Sequence, residues 1–583
     1  MNEDKQKLAN LRHSTAHLLA AAIQVLYPES KRTIGPAIDE GIYFDFEFPE
    51  GVQVSEKDFA KIEQKMHEMV KFWHSFEKHE LTKEEALKEY KGNPYKEELI
   101  EEFTKNGEKV TFYKSGDYWD LCKGGHIENP KEELKHFKLL KIAGAYWRGS
   151  EKNKMLTRIY GTAFPTKAEL DDYLKMLQEA EKRDHKKLGK ELDLFTFSDL
   201  VGPGLPLWTP KGTVVRELLD NFVWQLRKER GYDKVEIPHI TKKELYEMSG
   251  HWDKFKDELF KIESREGHTF AMKPMNCPHH IQIYNRKQNS YRDLPQRYAT
   301  TTMVYRDEQT GELSGLSRVR SVTQDDAHAF ARKSQVKEEF EKIWDIVKIF
   351  YSTFGFDLRV RLSFHDPANM KAYLGTPEMW KEAESAIEAI AKDRKADYFL
   401  APGEAAFYGP KVDFIAKDSL GREWQVATIQ LDINMPERFD LTCINENGEK
   451  ERIVMIHAAI MGSIERFLSV LIEHTAGAFP TWLAPLQVAL LPIADRHNEY
   501  AEKVLKELKR HNIRVELDSR PERLQAKIRD NTLQKVPFMG IIGDKEVTES
   551  KIAVRTRDGK DMGGLSTEDF LTFLKEQIDK KVS

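Results

Sequence analysis

The sequence predicts an α+β multidomain fold, in which a large and mainly antiparallel sheet is flanked by an N-terminal α+β segment and a C-terminal α/β segment. A chain of 583 residues is too long for one hydrophobic core and corresponds to about four domains. From about residue 187 to 484, β-rich runs follow one another with hairpin-like gaps, which favours antiparallel pairing. Beyond residue 485, strand and helix patterns alternate, which is typical of a compact α/β domain.

The N-terminal segment begins with an amphipathic helix at 4–27. Small and apolar side chains recur there at helical spacing, and Pro28 ends the pattern. The predicted buried stripe consists of Leu8, Leu11, Thr15, Leu18, Ala22 and Val25. Mixed short strands and helices follow, and we assign the first domain to 1–164.

A charged helix connects this domain to the next. Pro165 precedes Thr166, and Thr166 with Glu169 has the spacing of an N-terminal capping box. The helix becomes steadily more charged, as expected of an exposed connector. The domains are therefore 1–164, a linker helix at 165–186, a central domain at 187–484 and a C-terminal domain at 485–583, which follows the junction PTWLAP.

Strands are expected in five runs of the central domain: KVEIPHI, YATTTMVYRD, VRSVTQDDAHAF, AAFYGPKVDFIA and REWQVATIQLD. In the C-terminal domain, strands in LQVALLPI, IRVELD and FMGIIGD alternate with helices at 496–511, at 522–534 and from about 567. This βαβα order predicts an α/β layer structure.

Composition describes an ordinary globular protein, with 40% hydrophobic and 32% charged residues. No apolar run reaches the length of a membrane span, and the first residues lack a signal sequence, so we expect no membrane association. Three cysteines give no disulfide framework, which indicates a reducing, cytoplasmic location. A net charge of −5 neither requires nor excludes a nucleic-acid partner.

Three residues far apart in the chain form a candidate metal site. They are Cys277 in MKPMNCPHH, His328 in TQDDAHAF and His457 in VMIHAAIMGSIERF. One thiolate with two imidazoles is a three-ligand zinc set that leaves a fourth position for substrate. His279 and His280 adjoin the cysteine, and we expect them on the surface or behind the ligands, because neighbouring residues cannot readily converge on one ion.

Arginines near the ends of predicted strands form a candidate phosphate site. Arg306 lies in VYRDEQT, Glu308 follows it, Arg318 comes after a glycine-containing loop, and Arg466 lies in GSIERF. The planar guanidinium binds phosphate oxygens bidentately and keeps its charge, which suits a triphosphate. The chain has no Walker A motif and no GxGxxG after a strand, so a different nucleotide fold is expected.

A second cluster of metal-ligand types lies in the N-terminal domain. His13 and His17 are four residues apart on the first helix, and Cys122 and His126 have the same spacing in DLCKGGH. From spacing alone, these four residues are a credible metal site.

The ordered motifs resemble those of class II aminoacyl-tRNA synthetases. YRDE with its loop and Arg318 looks like motif 2, GSIERF resembles motif 3, and Pro238 in KVEIPHI resembles the motif 1 proline at a dimer interface. MNCPHH, TQDDAH, AFYGPK and VMIHAAIMGSIERF are similar to the bacterial-type threonyl-tRNA synthetase family in particular. The similarity runs from about residue 5, so we expect this chain to lack the family's small ubiquitin-like N-terminal domain.

This resemblance implies ATP-dependent attachment of L-threonine to tRNA(Thr) by a homodimer, with one Zn²⁺ per subunit and Mg²⁺ on the ATP. Cys277, His328 and His457 would hold the zinc, and Asp326 would accept from the substrate ammonium. Asp325 would point away from the pocket, because adjacent strand residues face opposite ways. The remaining pocket residues would be Gln324, Tyr408 and Gln430, with Lys411 and Arg306 at the reacting phosphate, and Glu308, Arg318, Arg466 and Met275 around the ATP.

Selection of threonine predicts a second, hydrolytic site. Serine differs from threonine by one methyl group, which is worth roughly 1–3 kcal/mol or about 10–200-fold in discrimination, too little for accurate translation. The resemblance places a metal-free editing pocket for seryl-tRNA in the first domain. Its residues would be His13, His17, Lys96, Tyr113, Asp120, Cys122 and His126.

The C-terminal domain resembles the anticodon-binding domain of several class II synthetases. Glu546 in GDKEV and Arg555 in IAVRTRD would contact anticodon bases, since arginine stacks on unpaired bases and bonds their edges. Two alternatives remain for the whole chain. It could be a synthetase-like protein that binds RNA without activating an amino acid, or a metallohydrolase built on the N-terminal cluster.

Overall fold

A computed structural model of the chain describes residues 3–38, 40–105, 109–150 and 152–581. These residues form two compact units, residues 1–178 and 179–583. None of the helices in the described ranges is both long enough and apolar enough to cross a membrane.

The first unit combines helices with two antiparallel sheets. Its helices are α1 (Glu3–Leu26), α2 (Phe59–Met69), α3 (Lys83–Glu89), α4 (Pro94–Phe103), α5 (Pro130–Glu133) and α6 (Lys167–Arg183), which crosses the boundary between the units. Its strands are β1 (Lys31–Arg32), β2 (Ala37–Ile38), β3 (Gly41–Glu47), β4 (Glu77–Leu81), β5 (Val110–Ser115), β6 (Tyr118–Leu121), β7 (Phe137–Tyr146) and β8 (Met155–Ala163). One sheet has the order β1-β3-β8-β7, with β2 also paired to β3, and the other has the order β4-β5-β6.

Helix α1 is buried on all sides from residue 14 to residue 23, which differs from the predicted single stripe. Every residue from 14 to 23 is buried, and the helix contacts α2, β2, β3 and β8. Val25 is 53% exposed, so its predicted place in the core is wrong. Small residues such as Ala16 and Ala20 allow neighbours to approach this helix on faces that a periodicity argument assigns to solvent.

The connector helix has the predicted cap. The Thr166 amide donates to Glu169 Oε2 at 3.0 Å, and the Glu169 amide donates to Thr166 Oγ1 at 3.2 Å. The helical path ends at Arg183, and a second helix, α7 (His185–Glu191), begins where Asp184 accepts from the Lys186 amide. The predicted single connector is therefore two helices.

The second unit contains the large sheet and the C-terminal sheet. Its further helices are α8 (Pro210–Lys228), α9 (Lys243–Ser249), α10 (His251–Lys254), α11 (Cys277–Tyr284), α12 (Val336–Ser352), α13 (Pro377–Asp393), α14 (Asn434–Arg438), α15 (Ile464–Thr475), α16 (Asn498–Arg510), α17 (Leu524–Leu533), α18 (Asp544–Glu549) and α19 (Thr567–Asp579). Its first strands are β9 (Phe195–Thr196), β10 (Leu207–Trp208), β11 (Asp233–Lys234), β12 (Ile240–Lys242), β13 (Lys261–Glu263), β14 (Thr269–Met272), β15 (Gln296–Tyr305), β16 (Ser321–Ala331), β17 (Asp357–Phe364) and β18 (Tyr398–Pro402). The remaining strands are β19 (Lys411–Lys417), β20 (Glu423–Asp432), β21 (Thr442–Ile444), β22 (Lys450–Arg452), β23 (Val454–Ser463), β24 (Val488–Pro492), β25 (Val515–Leu517), β26 (Phe538–Ile542), β27 (Lys551–Thr556) and β28 (Asp561–Ser566).

The central sheet has eight strands in the order β11-β15-β16-β23-β20-β19-β17-β18. All its pairs are antiparallel except the two edge pairs, β11 with β15 and β17 with β18. This confirms the predicted mainly antiparallel sheet. The run KVEIPHI, expected as one strand, gives only the short β11 and the start of β12, because Pro238 lies between them and cannot donate to a ladder.

The two faces of this sheet carry different residues, as the alternation of side chains along a strand requires. One face packs against α8, α12 and α15 through apolar side chains such as Ala327, Phe414, Ile429 and Ile456. The residues between them in sequence point to the opposite face, and these are the polar residues that the motifs contain. The helices therefore support the sheet from behind, and the other face is free to form a site.

The C-terminal sheet has the order β25-β24-β26-β27-β28. The first three strands are parallel, as the βαβα pattern predicts, while β27 and β28 form an antiparallel hairpin. The expected α/β architecture is present, but the hairpin was not predicted. Its β28 contains Gly563 and Gly564 and lacks a clear apolar alternation, so its sequence gives a weak strand signal.

Candidate active site and N-terminal histidine cluster

The predicted pocket residues form a row across four neighbouring strands of the central sheet. His328 on β16 lies opposite His457 on β23, which lies opposite Gln430 on β20. Gln430 in turn lies opposite Lys411 on β19. Residues directly opposite in adjacent strands project to the same face, so four residues from four separate motifs meet there.

The three predicted metal ligands converge in the structure. Cys277 is the first residue of α11 and is 1% exposed, and each of the three side chains offers an atom within 4.8 Å of the others. His328 Nε2 and His457 Nδ1 face each other at 3.0 Å. The opposite ring nitrogens are occupied elsewhere: His457 Nε2 lies 2.9 Å from Asp432 Oδ2, and His328 Nδ1 lies 2.7 Å from His280 Nδ1.

The chemistry of this set fits zinc. Burial raises the pKa of the Cys277 thiol well above its usual value, and the nearby carboxylates of Asp326 and Asp432 raise it further. Burial also lowers the pKa of His328 well below its usual value, with His457 adding to the effect. A neutral imidazole is the form that binds a metal, and a cation would stabilise the buried thiolate that this site otherwise disfavours.

The carboxylate of Asp326 lies beside the ligand set. Its Oδ2 accepts from Asn276 Nδ2 at 3.1 Å, and its Oδ1 is 3.7 Å from His328 Nε2. Asp325 points the other way, as predicted, and accepts from the Ile460 and Met461 amides where the pairing of β16 with β23 shifts register. Asp325 therefore shapes the strand next to the pocket and takes no place in it.

Tyr408 and Lys411 complete the same side of the site. The Tyr408 hydroxyl donates to Gln430 Oε1, and its ring stacks on His457 with a centroid distance of 5.0 Å. Lys411 Nζ lies 3.2 Å from Asp413 Oδ2, and Asp413 is fully buried. The lysine ammonium is thus held on the pocket face by a fixed carboxylate.

A cleft of about 490 Å³ adjoins this row and is lined by the predicted arginines. Arg306, Glu308, Arg318, Gln324 and Arg466 are among its lining residues. Glu308 Oε2 binds Arg318 Nη2 at 2.6 Å, which fixes both side chains and raises the pKa of Arg318.

Two of these arginines have no carboxylate partner among the described residues. In the described parts of the chain, neither Arg306 nor Arg466 forms an ion pair with a carboxylate. Arg306 instead lies over the Phe255 ring at 5.3 Å, with Nη2 3.4 Å from Met275 Sδ. Cationic groups without a counter-charge in a cleft of this size are suited to an anionic ligand. Met275 is half-buried at the same place, and its proximity to adenine stays a prediction.

The positions predicted for the two histidines beside Cys277 were only partly correct. His279 is 7% exposed and His280 is fully buried, so a surface position is wrong for both. His280 contacts the candidate ligand His328 from behind, as the second part of that expectation stated. Asp432 and Asn276, which contact His457 and Asp326, were missed, because a strand-end aspartate and a loop asparagine carry no distinctive sequence signal.

The four candidate residues of the N-terminal cluster also lie close together. His13 Nε2 lies 3.0 Å from Cys122 Sγ, and His126 Nε2 lies 3.3 Å from the same sulfur. The His13 and His126 rings stack, and His17 packs edge-on against both. Tyr113 lies against His126 with a centroid distance of 4.8 Å. The cluster borders a cavity of about 940 Å³.

The titratable groups of this cluster are held in neutral forms. Burial, with a smaller contribution from His13, lowers the pKa of His126 to about 3, and burial also lowers the pKa values of His13 and His17. Burial raises the pKa of the Cys122 thiol to about 11. A neutral imidazole nitrogen that carries no hydrogen can accept a hydrogen bond from a water molecule, which suits these rings to orient water in the adjoining cavity.

An ion pair lies beneath the histidines. Lys96 Nζ binds Asp120 Oδ1 at 2.6 Å, and both side chains are 2% exposed. Burial alone would raise the pKa of Asp120, but Lys96 and Arg32 hold it well below its usual range. The Tyr118 hydroxyl donates to the second Asp120 oxygen at 2.9 Å.

Ser14 and Phe76 belong to this site and were not predicted. Ser14 Oγ lies 3.2 Å from His126 Nδ1, and Phe76 stacks on the His126 ring at 4.0 Å. Ser14 directly follows His13 in the string HSTAH, but a search based on the spacing of histidines and cysteines does not include serine.

The two residues predicted to contact the anticodon lie in the C-terminal domain. Glu546 Oε2 accepts from the Gly543 amide at 2.9 Å, and Arg555 lies on β27.

Comparison with known proteins finds three matching family models. Residues 260–475 match the tRNA synthetase class II core domain (G, H, P, S and T), and residues 487–577 match the anticodon binding domain. Residues 110–160 match the threonyl and alanyl tRNA synthetase second additional domain.

Individual relatives match along the whole chain. Threonine–tRNA ligases of Cytophaga hutchinsonii and Clostridium tetani are each 48% identical to it, and each match covers 100% of this chain and 90% of the relative. Among solved structures, the RNA binding domain of threonyl-tRNA synthetase from Cryptosporidium parvum matches with a TM-score of 0.65 and 36% identity, over 68% of this chain and 98% of that one. Giardia lamblia prolyl-tRNA synthetase in complex with prolyl-adenylate shares the fold at 16% identity, with a TM-score of 0.56 over 70% of this chain and 82% of that one.

The antiparallel sheet, its arginine-lined cleft and these matches place the chain in the class II aminoacyl-tRNA synthetases. Within that class, the chain belongs to the family of threonine–tRNA ligases.

Proposed function

We propose that the chain joins L-threonine to tRNA(Thr) at the expense of ATP and hydrolyses mischarged seryl-tRNA(Thr). The observation that carries this proposal is the row of His328, His457, Gln430 and Lys411 on one sheet face, next to a cleft with two arginines that form no ion pair with any described carboxylate. That arrangement joins an amino-acid pocket to a polyphosphate site, as adenylate formation requires.

The amino-acid pocket would select threonine by its polar groups. Cys277, His328 and His457 would hold Zn²⁺, which when bound would supply a Lewis-acidic position for the amino and hydroxyl groups of threonine. Asp326 would accept from the substrate ammonium, since its carboxylate lies beside the ligand set and keeps an acceptor oxygen on that side. Gln324, Tyr408 and Gln430 would line the rest of the pocket, and the Tyr408–Gln430 hydrogen bond fixes two of them.

The adjoining cleft would hold ATP with Mg²⁺ on its phosphates. Arg466 and the Glu308–Arg318 pair would position the nucleotide, and Met275 would lie near the adenine. In the first step, a threonine carboxylate oxygen bonds to the α-phosphorus while the bond to pyrophosphate breaks. Arg306 and Lys411 would stabilise the charge that develops at the α-phosphate, so positioning and electrostatics carry the step without a protein nucleophile.

In the second step, a hydroxyl oxygen of the terminal ribose of tRNA attacks the threonyl carbonyl carbon, and AMP leaves. The C-terminal domain would bind the anticodon through Glu546 and Arg555. We further propose a cytoplasmic homodimer with Pro238 at its interface. Apolar Leu207 and Ile240, which are 41% and 49% exposed, lie in the same part of the chain.

Threonine-dependent exchange of pyrophosphate into ATP tests the first step. We expect exchange with threonine and much less with valine, which has the shape of threonine without its hydroxyl. A protein that only binds RNA would show no exchange with any amino acid. That result would favour the RNA-binding alternative over a ligase.

The N-terminal cluster would be the editing pocket. His13, His17, Cys122 and His126, with Lys96, Tyr113 and Asp120, would position a water molecule that attacks the seryl ester carbonyl. The cavity of about 940 Å³ is large enough for an aminoacylated nucleoside, and the neutral imidazoles can accept a hydrogen bond from that water and orient it. The metallohydrolase alternative has its own support, because the same four side chains offer ligand atoms within 4.8 Å of one another.

Counting bound metal separates these two interpretations. We expect one zinc per chain in the parent and in Cys122→Ala, and none in Cys277→Ala, measured by elemental analysis of purified protein. Both cysteines are buried, so each change removes a thiol of similar exposure, and Cys443→Ala serves as a buried control outside both clusters. Loss of metal on changing Cys122 alone would place the ion in the first unit and contradict our assignment.

A further inference from the structure

The two histidines of the proposed zinc site are held by different kinds of partner. His457 Nε2 lies 2.9 Å from the Asp432 carboxylate, an acceptor that fixes the hydrogen on that nitrogen. His328 Nδ1 lies 2.7 Å from His280 Nδ1, and both imidazoles are fully buried. A metal-bound histidine is normally oriented by a group that accepts from its other ring nitrogen, but here that group is a second histidine.

The position of one hydrogen decides whether His328 can bind a metal. Two ring nitrogens 2.7 Å apart share a single hydrogen, so one donates and the other accepts. If His328 carries the hydrogen on Nδ1, its Nε2 presents a lone pair toward His457 and Cys277. If His280 carries it, the His328 hydrogen moves to Nε2, 3.0 Å from His457 Nδ1, and blocks the metal position.

The His280 side chain makes no other hydrogen bond among the described residues. As the acceptor at Nδ1, it carries its own hydrogen on Nε2, and that atom is buried without a hydrogen-bond partner among the described residues. An unpaired buried donor is unfavourable, so packing alone would prefer an apolar side chain here. The histidine is accounted for by the acceptor that it offers to His328.

We propose that His280 is a positioning residue for the zinc centre: it accepts the His328 Nδ1 hydrogen and keeps His328 Nε2 directed at the ion. Cys277 and His280 are three residues apart on α11 and lie on one face of the helix. One helical turn therefore provides a ligand and holds a second ligand in place. This inference rests on the proposed zinc centre.

Three variants distinguish loss of the hydrogen-bond acceptor at His280 from a change in side-chain packing. His280→Leu keeps a buried side chain branched at Cγ but removes the acceptor, while His280→Asn places an amide oxygen where Nδ1 lies. His279→Leu is the matched control, because His279 is the adjacent histidine on the same helix, is 7% exposed and has no described partner at either ring nitrogen. If His280→Leu does not fold, His280→Gln replaces it, since its amide lies one bond too far out.

The measurement is the rate at which purified protein releases zinc to a coloured chelator. We expect about 10–100-fold faster release from His280→Leu, and release within about threefold of the parent from His280→Asn and His279→Leu. The absorption bands of the cobalt-substituted protein should change in the leucine variant and be restored by asparagine, which a purely structural defect would not produce.

Three outcomes would overturn the inference: parent-like release from His280→Leu, equal release from the asparagine and leucine variants, or equal effects at positions 279 and 280. A parent chain without zinc would remove the zinc centre and this inference together. A parent that holds zinc but shows no threonine-dependent exchange would contradict the proposed function alone, and the release rates would still decide the role of His280.

Discussion

Arg306→Ala is expected to lower the rate of threonine-dependent ATP–pyrophosphate exchange by about 10²–10³-fold. In the described structure, Arg306 is not neutralised by a carboxylate, so its charge is available to an α-phosphate as negative charge develops there. Removing one preorganised donor at such a position typically costs that factor in kcat. The effect should fall on kcat more than on the KM for threonine, because Arg306 lies in the cleft and is not among the residues proposed to bind the amino acid.

Two further variants make this result specific. Arg306→Lys keeps a positive charge but loses the planar fork, so it should recover only part of the lost rate. Arg292→Ala removes an exposed arginine that stacks on Tyr291 in a 3₁₀ turn, and it should exchange as the parent does. Zinc content should be unchanged in all three. Exchange by Arg306→Ala within tenfold of the parent would show that this guanidinium does not stabilise the reacting phosphate.

The directions of the side chains in the central site could be predicted from the sequence, because successive side chains along a strand point to opposite faces of the sheet. His328 and Asp326 are two residues apart, as are Lys411 and Asp413, and each pair faces away from the apolar residues between and beside them. Once the motifs are assigned to strands, alternation alone places their polar residues on one face. The pairing that aligns His328, His457, Gln430 and Lys411 in one row could not be predicted, because register depends on contacts between distant segments.

Residues that contact the candidate ligands were harder to find from the sequence than the candidate ligands themselves. Asp432 ends a strand, Asn276 precedes a helix and His280 follows a cysteine, and each has an ordinary structural explanation when considered alone. Their roles depend on distances of about 3 Å across different elements, and these distances exist only in the folded chain. Sequence motifs therefore predicted a set of candidate ligands but not the residues that contact and orient them.

The first helix shows a different limit. Its periodicity predicts one buried stripe, yet residues 14 to 23 are all buried. His17 is thus buried, whereas it would be exposed if its face of the helix were in contact with solvent. The prediction of His13 and His17 on one face was useful because it depended only on helical geometry, while burial depended on how many neighbours pack around α1.

Changing both His13 and His17 to alanine is expected to let seryl-tRNA(Thr) accumulate while threonylation continues. One methyl group gives only about 10–200-fold discrimination against serine, so serine should be attached at a measurable rate, and the product should persist once hydrolysis stops. Loss of the imidazoles that would orient the attacking water should slow deacylation of preformed seryl-tRNA by at least about 100-fold. We exclude Lys96→Ala as the first test, because removing one partner of a buried ion pair typically costs about 3–5 kcal/mol and could unfold the unit.

The control for this prediction removes two histidines from the same unit without touching the cluster. His74 and His79 are exposed, so the double alanine variant at these positions should deacylate seryl-tRNA as the parent does. Because His17 is 4% exposed, the glutamine pair His13→Gln with His17→Gln distinguishes loss of chemistry from a cavity in the core. Accumulation of seryl-tRNA in both cluster variants, with native resistance to protease, would locate hydrolysis at this cluster. Serine product as scarce as in the parent would mean that another part of the chain, or none, performs the correction.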